Sequence, residues 1–429
     1  MHHRRRCLTL AQELARVWRV VPETFAARQA AVAPLGTLHA RGSAAWAGSE
    51  SLRRDAVPEQ PRSGRGERRS LVGFALGGFA RGQTVDPFGL VAEELTAVAG
   101  RMRAAVTTEV PALATAAEYF FKPGSEGKRT RSTMLLLLAS ALSEGAPNTS
   151  HNTVDESPAR HHPQEVRRRQ QRLAEVTELI HIASLMHDDV LDNAATRRGL
   201  RALNIEMGNK LAILAGDFLL ARASVTLASL RNTEVIELLS TVLEHLVKGE
   251  VMQMSSSPED LLSLDHYFRK TYFKTASLLA NSARAVAILG NQDPAVSEHS
   301  YQYGLHLGLA FQFVDDMLDF TGNAMTLGKP ALSDLNSGIA TAPVLFAADE
   351  FPEMHELIRR KFKQPGDVEQ ARKWVEQSKG IERTRQLALD HATKAAEAVA
   401  AFPPTDCQHA LICRDALTEL TRRVVNRTK

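Results

Sequence analysis

Acidic and basic side chains are concentrated in the stretch H-I-A-S-L-M-H-D-D-V-L-D at residues 181–192 and just after it. The apolar residues upstream recur at helical spacing, which predicts a helix that runs to Asp192. Asp188 and Asp192 would then stack on one face, one turn apart, and repel each other. A hard divalent cation relieves that repulsion, and Mg²⁺ prefers carboxylate oxygens together with substrate phosphates. Arg197 and Arg198 follow, and guanidinium groups are preferred partners of phosphate oxygens. The alternative is a solvated acidic helix end followed by a basic turn.

A second aspartate cluster, Asp315, Asp316 and Asp319, occupies the same kind of position. It lies in the segment F-Q-F-V-D-D-M-L-D-F-T-G at residues 311–322, after another apolar helical run, and Gly322 is a typical stop signal. Two such clusters on two apolar helices are difficult to explain as solvated surface. If they face each other across a helical bundle, they would form a cage for about two to three Mg²⁺ ions and a diphosphate group.

Basic residues suited to a diphosphate occur at two further places. Lys128 and Arg131 lie where a glycine-containing loop leads into an apolar helix, and the free N–H groups of a helix N-terminus add to the attraction for an anion. Lys274, followed by Thr275, stands among apolar residues on a helix expected to be largely buried, and a buried lysine needs an anion. The alternative is an ordinary solvated cation, which for Lys274 means a side chain that reaches the surface.

The elements that must position these residues are helices. From Pro87 onward the apolar pattern is helical almost throughout, and no convincing alternating strand is present, which predicts an all-α bundle. The fold is expected to occupy residues 86–429. Residues 145–171 are polar and are expected to form a surface insertion between two helices. Residues 351–429 are expected to form surface helices without chemistry.

The N-terminal part of the chain has a different composition. Residues 1–48 are rich in arginine and poor in acids, and they contain a stretch with an amphipathic pattern, which is typical of an organellar transit peptide. Because arginine dominates and serine is scarce, a mitochondrial presequence is favoured, with a plastid presequence or a disordered basic tail as the alternatives. Residues 49–85 are expected to form a disordered linker.

Composition argues against several classes of function. The net charge is only +3 over 429 residues, so nothing indicates binding to nucleic acid. No apolar run reaches the roughly 18 residues that predict a membrane-spanning helix. The three cysteines, Cys7, Cys407 and Cys413, have neither zinc-ligand nor redox spacing, and their odd number in a large chain suggests a reducing compartment.

Together these motifs resemble the trans-polyprenyl diphosphate synthases, which are class I isoprenyl synthases, and most of all the solanesyl diphosphate synthases of plants and algae. The resemblance covers residues 86–429 and implies an isoprenyl synthase bundle around a central cavity, with the two aspartate-rich helices facing each other. Many members have proline where this chain has Ser132, a difference without chemical consequence. The resemblance is carried by E-G-K-R-T-R at 126–131, H-D-D-V-L-D at 187–192, T-R-R-G at 196–199, G-N-K-L-A-I-L-A-G-D-F-L-L at 208–220, K-T-A-S-L at 274–278, F-Q-F-V-D-D-M-L-D at 311–319 and G-K-P at 328–330.

The resemblance implies a role for each candidate residue. Isopentenyl diphosphate is held by Lys128, Arg131, His181 and Arg198. The allylic diphosphate, farnesyl or geranylgeranyl, is held by Arg197, Lys274, Thr275, Gln312 and Lys329. The ligands of about two to three Mg²⁺ ions are Asp188, Asp192, Asp315, Asp316 and Asp319. The residues expected to act directly on the leaving diphosphate, through metal or charge, are Asp188, Asp192, Asp315, Asp319 and Lys274.

Product length is expected to depend on the pocket beneath the first cluster. Ala183, five residues before Asp188, and Ser184 are small, whereas relatives that make short products often carry a large aromatic residue there. The resemblance therefore implies an open pocket and a C45 or C50 product, a precursor of the ubiquinone side chain. A geranylgeranyl-length product is the alternative.

Two other classes of protein stay open. Terpene cyclases share the bundle, but their second metal site is usually of the N-D-x-x-S-x-x-x-E type, and this chain has a second aspartate cluster. Partner subunits of heteromeric synthases lose aspartates, and this chain keeps both clusters. The alanine- and leucine-rich helices favour a homodimer, with a heteromer and peripheral contact with a membrane as the alternatives.

Overall fold

The computed structural model describes residues 85–119, 127–143, 162–322 and 332–427. Helices dominate every described segment, so the predicted all-α class is confirmed. The transit peptide predicted at 1–48 and nearly all of the linker predicted at 49–85 lie outside the described residues and stay predictions.

The described helices are numbered in chain order. They are α1 (Ala92–Ala105), α2 (Pro111–Glu118), α3 (Thr130–Ala141), α4 (Pro163–Leu191), α5 (Leu203–Met207), α6 (Asn209–Ser229), α7 (Thr233–Ser255), α8 (Leu264–Thr271), α9 (Ser277–Leu289), α10 (Pro294–Thr321), α11 (Ser333–Asn336), α12 (Ala342–Ala348), α13 (Met354–Arg359), α14 (Asp367–Gln377), α15 (Gly380–Ala400) and α16 (Gln408–Val425). Short 3₁₀ turns cover Gly89–Val91 and Asp260–Leu262, and a π-helical turn, Tyr272–Ala276, joins α8 to α9.

Two long helices carry the aspartate clusters at their C-terminal ends. α4 has 29 residues and α10 has 28, and each begins with a proline, whose fixed φ and missing N–H suit the first helical turn. Asp192 is the C-cap of α4, and Asp319 lies in the last turn of α10. A helix C-terminus is the negative end of the helix dipole, so carboxylates are disfavoured there unless a cation offsets them. This placement favours a cation site over a purely structural acidic helix end.

α9 lies in the core of the bundle. All of its residues except Arg284 and Ile288 are buried, and it packs against α4, α7 and α10. α10 approaches closely because two of its glycines face α9 and the π-helical turn. A Cβ atom at Gly304 would lie 2.5 Å from the Leu279 carbonyl oxygen, and one at Gly308 would lie 2.8 Å from Ala276 Cα. Larger residues at these two positions would push the helix of the second aspartate cluster away from the core.

The T-R-R-G segment forms a small antiparallel hairpin of β1 (Thr196–Arg197) and β2 (Leu200–Arg201). Its two central residues, Arg198 and Gly199, have φ values of +51° and +79°. A two-residue turn with positive φ at both positions matches the twist of paired strands. No strand is predicted from the sequence here, because two residues on each side are too few to show an alternating pattern.

The predicted insertion at 145–171 is wrong at its C-terminal end. α4 begins at Pro163, so residues 163–171 belong to this helix, and residues 144–161 lie outside the described part of the chain. Arg169 and Gln170 are buried, and each donates a hydrogen bond to a backbone carbonyl group. Arg169 Nε donates to the Leu230 carbonyl, and Gln170 Nε2 donates to the Val286 carbonyl, each at 3.1 Å.

The C-terminal helices are part of the core and not a surface layer, so the prediction for residues 351–429 is wrong in this respect. α15 packs along α10, and α16 packs against α3 and α15. The buried Tyr303 hydroxyl of α10 donates to the Leu417 carbonyl of α16 at 3.0 Å. These helices therefore support the helix that carries the second aspartate cluster.

α6 is long and apolar enough to span a membrane by length and composition, with a mean hydropathy of 1.6. This is weak evidence, because the core helices of soluble proteins pass the same test, and α6 packs against α2 and α4. The expected absence of a spanning helix stays a prediction. The outer face of α6 exposes the apolar side chains of Ile213, Leu214 and Val225.

Candidate active site

Asp188 and Asp192 lie one turn apart at the end of α4, as the spacing predicts. Burial raises the pKa of Asp188 to about 6; the Lys274 ammonium opposes this rise, and the carboxylates of Glu250 and Asp192 add to it. Burial also raises the pKa of Asp192. Neighbouring carboxylates that resist ionisation are electrostatically strained, and a bound cation would relieve that strain.

Lys274 lies on the π-helical turn beside this first cluster. Its Nζ atom is 2.5 Å from Glu250 Oε2 and 3.2 Å from Gln253 Oε1, both on α7. The predicted anionic partner of this lysine is therefore present within the protein as Glu250. Gly249 permits the close approach, since a Cβ atom there would lie 2.6 Å from Lys274 Cγ.

The middle aspartate of each cluster is buried and hydrogen-bonded within the protein. Asp189 and Asp316 are each 1% exposed. Asp189 accepts two hydrogen bonds of 2.7 Å from Arg197, through Nε and Nη2, and so anchors the hairpin. The position after the first aspartate is rotated by about 100° around the helix, which directs it into the protein.

Asp316 likewise anchors its neighbours. It accepts hydrogen bonds from the Tyr267 hydroxyl and, at 2.9 Å, from Gln312 Nε2. Burial raises the pKa of Asp316, although both hydrogen bonds oppose the rise. Both carboxylate oxygens of the buried Asp316 thus accept hydrogen bonds within the protein, and its predicted role as a Mg²⁺ ligand stays a prediction.

Asp319 is fully buried and holds the start of α11. It accepts hydrogen bonds from the backbone N–H groups of Ser333 at 3.2 Å and Asp334 at 3.0 Å. The preceding segment contains Lys329, which lies outside the described residues together with the rest of the G-K-P motif. Asp319 thus fixes the point where this segment rejoins the fold, and its predicted role as a metal ligand stays a prediction.

Asp315 is the outer aspartate of the second cluster, and its side chain is 41% exposed. Its described partner is Arg427, beyond the end of α16, whose Nη2 atom donates to Asp315 Oδ1 at 2.7 Å. The Arg427 guanidinium also lies 3.8 Å from the centroid of the Phe311 ring. No sequence motif marks Arg427, and only the packing of the C-terminal helices reveals it as part of the site.

Thr275 connects the π-helical turn to the second cluster. Its hydroxyl donates to Gln312 Oε1 at 2.9 Å, and the amide group of Gln312 in turn contacts Asp316. Lys274 and Thr275 are adjacent in the chain, but one faces the first cluster and the other faces α10. The structure therefore brings together the residues predicted for the allylic diphosphate, apart from Lys329.

Arg131, His181 and Arg198 form a second group of basic residues, as predicted for isopentenyl diphosphate. Burial lowers the pKa of His181 well below its usual value, and the charges of Arg131 and Arg198 add to this effect. A Cβ atom at Gly127 would lie 2.6 Å from Arg198 Nη2, so the loop lies directly against this guanidinium. Arg131 Nε is buried without a hydrogen-bond partner, a donor that an anionic ligand could satisfy. Lys128 lies nearby in the sequence and is exposed.

The aspartates suit a Mg²⁺ ion that binds together with the substrate better than they suit a metal ion coordinated by protein ligands alone. Within the described residues, no group of three or more histidine, cysteine, aspartate and glutamate side chains is arranged to hold a metal. Mg²⁺ commonly binds one or two carboxylates together with waters and substrate phosphates. The Asp188–Asp192 pair and the half-exposed Asp315 have this character, and substrate oxygens would complete the coordination.

The residues predicted to set product length lie on α4 below Asp188. Ala183 is fully buried, and Ser184 is half-buried with its hydroxyl donating to the His181 carbonyl at 2.9 Å. Neither side chain is large, so residues 183 and 184 place no bulky group on α4 beneath Asp188.

Comparisons with known proteins identify the family of the chain. The sequence model of the Polyprenyl synthetase family matches residues 110–375. The mitochondrial solanesyl-diphosphate synthase 1 of Oryza sativa subsp. japonica is 54% identical over 344 residues, which cover 80% of this chain and 79% of that protein. The probable mitochondrial hexaprenyl pyrophosphate synthase of Neurospora crassa is 44% identical over 81% of this chain and 82% of its own length.

Solved structures share the fold. The apo form of the Arabidopsis medium/long-chain length prenyl pyrophosphate synthase is 45% identical, with a TM-score of 0.65 over 80% of this chain and 100% of that chain. The polyprenyl synthase of Caulobacter crescentus, complexed with calcium and isoprenyl diphosphate, is 31% identical, with a TM-score of 0.68 over 81% of this chain and 100% of that chain. The family match and these relatives show that the chain belongs to the polyprenyl synthetase family and is a prenyltransferase.

Proposed function

We propose that this protein condenses isopentenyl diphosphate head-to-tail onto an allylic diphosphate, farnesyl or geranylgeranyl, and makes a long all-trans polyprenyl diphosphate. The observation that carries the proposal is the presence of two separate cationic groups, each near an aspartate cluster. The Lys274 ammonium lowers the pKa of Asp188. Arg131, a member of the Arg131–His181–Arg198 group, has its pKa raised by the Asp315 carboxylate. Two diphosphate sites suit the joining of two diphosphate substrates.

The aspartates would hold Mg²⁺ at the allylic diphosphate. We assign this role to Asp188, Asp192 and Asp315, and the number of ions, about two to three, is part of the proposal. When bound, Mg²⁺ neutralises diphosphate oxygens and stabilises the charge that grows on the leaving group. Lys274 and Arg197 add fixed positive charge at the same place, which is electrostatic preorganisation.

The reaction then needs no protein nucleophile. Cleavage of the bond between C1 and the diphosphate oxygen gives an allylic cation, which an apolar pocket protects from water. The double bond of isopentenyl diphosphate attacks C1, and the resulting cation loses a proton to the departing diphosphate. Arg131, Arg198, His181 and Lys128 would hold isopentenyl diphosphate in place for this attack, with His181 neutral because of its lowered pKa.

For the product we propose a C45–C50 chain that supplies the side chain of ubiquinone. The methyl side chain of Ala183 beneath the first cluster is too small to block a long tail there. The relatives named as solanesyl and hexaprenyl synthases also point to a long chain, and their names place them in mitochondria. We therefore infer a mitochondrial location for this protein, in agreement with the arginine-rich residues 1–48.

We further infer that the protein forms a homodimer through α6 and α7. An apolar face on these helices is exposed in a single chain, and a second copy could cover it. Light scattering would measure the mass, and an aspartate at the exposed Val225 should favour monomers. The exposed apolar residues of this face are Ile213, Leu214, Val225, Val247, Val251 and Met254.

The direct test is turnover. The full-length protein is incubated with Mg²⁺, labelled isopentenyl diphosphate and farnesyl or geranylgeranyl diphosphate, and the dephosphorylated product is sized. A C45–C50 product that disappears in Asp188→Ala supports the whole proposal. A product that stops at geranylgeranyl length keeps the chemistry but overturns the proposed chain length. Absence of turnover by a folded protein overturns the proposal for a homomeric enzyme, and co-purification would then search for a second subunit.

A further inference from the structure

A histidine of α7 contacts both ends of the π-helical turn that carries Lys274. His245 is half-buried, and its Nδ1 atom lies 2.7 Å from the Ser277 hydroxyl oxygen. We propose that His245 is a positioning residue, which holds this turn through Ser277 and so keeps Lys274 at the allylic diphosphate. The inference deepens the proposed prenyl transfer and rests on it, because Lys274 has its role in that reaction.

The hydrogen bond that defines the π-helical turn joins Tyr272 to Ser277. The Ser277 N–H donates to the Tyr272 carbonyl oxygen, five residues earlier, whereas an α-helix would use the residue four earlier. Such turns are rare, so contacts from other helices must stabilise this one. His245 contacts both residues of the bond, one through its ring and the other through Nδ1.

The imidazole ring packs against the aromatic rings at the start of the turn. Its centroid lies 5.6 Å from that of Tyr272 and 4.9 Å from that of Phe273. Both distances are in the range of favourable aromatic pairs. The Tyr272 hydroxyl also lies 2.9 Å from the Tyr301 hydroxyl of α10. The start of the turn is therefore held between α7 and α10.

Hydrogen bonds hold the end of the turn. Ser277 is fully buried, and Asn281 Nδ2 donates to its carbonyl oxygen at 2.8 Å and to its hydroxyl oxygen at 3.2 Å. Because the hydroxyl oxygen accepts from Asn281, its hydrogen is available to His245 Nδ1. Burial lowers the pKa of His245 to about 4, and the Lys248 ammonium adds to this effect. The ring is therefore neutral at pH 7, and Nδ1 can accept this hydrogen bond.

Lys274 lies between these two anchored ends. Its ammonium pairs with Glu250 of α7, and its Cγ atom lies against Gly249. Gly249 is one turn after His245, so the two residues share a face of α7. A Cβ atom at Gly249 would also lie 3.1 Å from Phe273 Cβ. This face of α7 thus determines where the lysine stands beside the first aspartate cluster.

The test compares two buried serines of α9. Ser277→Ala and Ser282→Ala each remove a fully buried hydroxyl that is hydrogen-bonded to a side chain of another helix, His245 in one case and Thr177 in the other. His245→Phe keeps a ring at this position but removes Nδ1. Kinetics of the full-length protein measure kcat and the KM of each substrate, and thermal unfolding checks the fold of every variant.

We expect Ser277→Ala and His245→Phe to raise the KM of the allylic primer about three- to tenfold, with an unchanged KM for isopentenyl diphosphate. The double variant should be no worse than either single variant, because both changes remove one shared hydrogen bond. A purely structural bond would lower the unfolding temperature and leave both KM values unchanged. An equal KM of the primer in Ser277→Ala and Ser282→Ala, or additive effects in the double variant, would overturn the positioning role.

Hydrogen exchange examines the turn without turnover. The amides of residues 272–277 should exchange about tenfold faster in Ser277→Ala and His245→Phe than in the parent, and Ser282→Ala should keep the parental rate. Faster exchange in a protein whose parent lacks prenyl transfer supports the anchoring of the turn and overturns the proposed function. Unchanged exchange in variants of an active parent overturns this inference and leaves the proposed function intact.

Discussion

Arg427, the last described residue of the chain, donates a hydrogen bond of 2.7 Å to Asp315, the outer aspartate of the second cluster. The Arg427 side chain is only 14% exposed and lies against the Phe311 ring. Burial lowers the pKa of this guanidinium, and the Asp315 carboxylate opposes the effect. A guanidinium thus occupies the carboxylate that we assign to Mg²⁺, and the two cations should compete for it.

Arg427→Ala should remove that competition. We expect the Mg²⁺ concentration for half-maximal activity to fall several-fold, and the free energy of unfolding in chelator to fall by about 1–3 kcal/mol, because Asp315 loses its partner. Mg²⁺ titrations of activity and urea unfolding measure the two effects. Arg423→Ala, which removes a half-buried guanidinium of α16 that pairs with Asp86 and Glu419 rather than with Asp315, serves as the control for the Mg²⁺ dependence. An unchanged Mg²⁺ dependence in Arg427→Ala would rule out the competition.

The ionised Asp188 carboxylate should lower the free energy of unfolding and yet be necessary for the reaction. Its pKa of about 6 lies above that of an ordinary carboxyl, so the folded protein loses stability as the pH rises through this range. We expect Asp188→Asn to raise the free energy of unfolding at pH 7 in chelator by up to about 3 kcal/mol, with little gain near pH 3, since the carboxyl is mostly protonated there in both states. Activity should fall at least about a hundredfold. Asp390→Asn, at an exposed position, should change neither, and an Asp188→Asn protein that is less stable than the parent at pH 7 would refute the argument.

Some placements of residues in this site could be predicted from the sequence, and others could not. The spacing of Asp188 and Asp192 follows from the helical repeat alone, and the structure places them as expected. The burial of Asp316 was not predictable, because it depends on Tyr267, which lies 49 residues away on another helix. The run of three arginines that ends at Arg169 has the composition of a surface segment, yet Arg169 is buried and donates a hydrogen bond to the Leu230 carbonyl, which lies 61 residues away in the chain. Arg427 reaches the site because of where α16 ends, which no local pattern reports.

Tyr267→Phe tests the anchoring role of Asp316. The hydroxyl hydrogen bond lowers the pKa of Asp316 against the effect of burial, so its loss should raise that pKa further. The acid limb of the activity profile should therefore move to higher pH, and the KM of the allylic primer should rise because Gln312 loses its fixed acceptor. Tyr303→Phe removes an equally buried hydroxyl on the α16 side of α10 and should leave the profile unchanged. Identical profiles for the two variants would exclude this role of Asp316.

The buried pair His306 and His391 should make the fold sensitive to acid. Their Nδ1 atoms are 3.0 Å apart, and burial lowers the pKa of His306 to about 3 and that of His391 well below its usual value. The unfolded chain takes up protons below about pH 6.5 and the folded protein does not, so each histidine removes up to about 1.4 kcal/mol of stability per pH unit. His391→Asn should reduce the loss measured by urea unfolding between pH 7 and pH 5. An equal loss in parent and variant would show that other groups control the acid response.

Ala183→Phe should shorten the product. The side chain at 183 is fully buried on α4 beneath Asp188, so a phenyl ring there would project into the space proposed for the growing tail. We expect shorter chains with an unchanged KM for isopentenyl diphosphate, measured by chromatography of the dephosphorylated products. Overpacking is expected to destabilise the fold by about 1–3 kcal/mol, which thermal unfolding would report. Ser184→Ala should keep the parental product length, and a full-length product from Ala183→Phe would place the tail elsewhere.

The π-helical turn at Tyr272–Ala276 has a consequence for exchanging segments between relatives. A π turn contains one residue more than an α turn, so it acts as a single-residue insertion that rotates everything after it by about 100°. That rotation lets the neighbours Lys274 and Thr275 contact α7 and α10, respectively. A chimera joined inside this stretch with one residue fewer would remain helical but turn α9 out of phase with both partners. Recombination boundaries should therefore lie outside α8 and α9, so that both helices and the π-helical turn are inherited together.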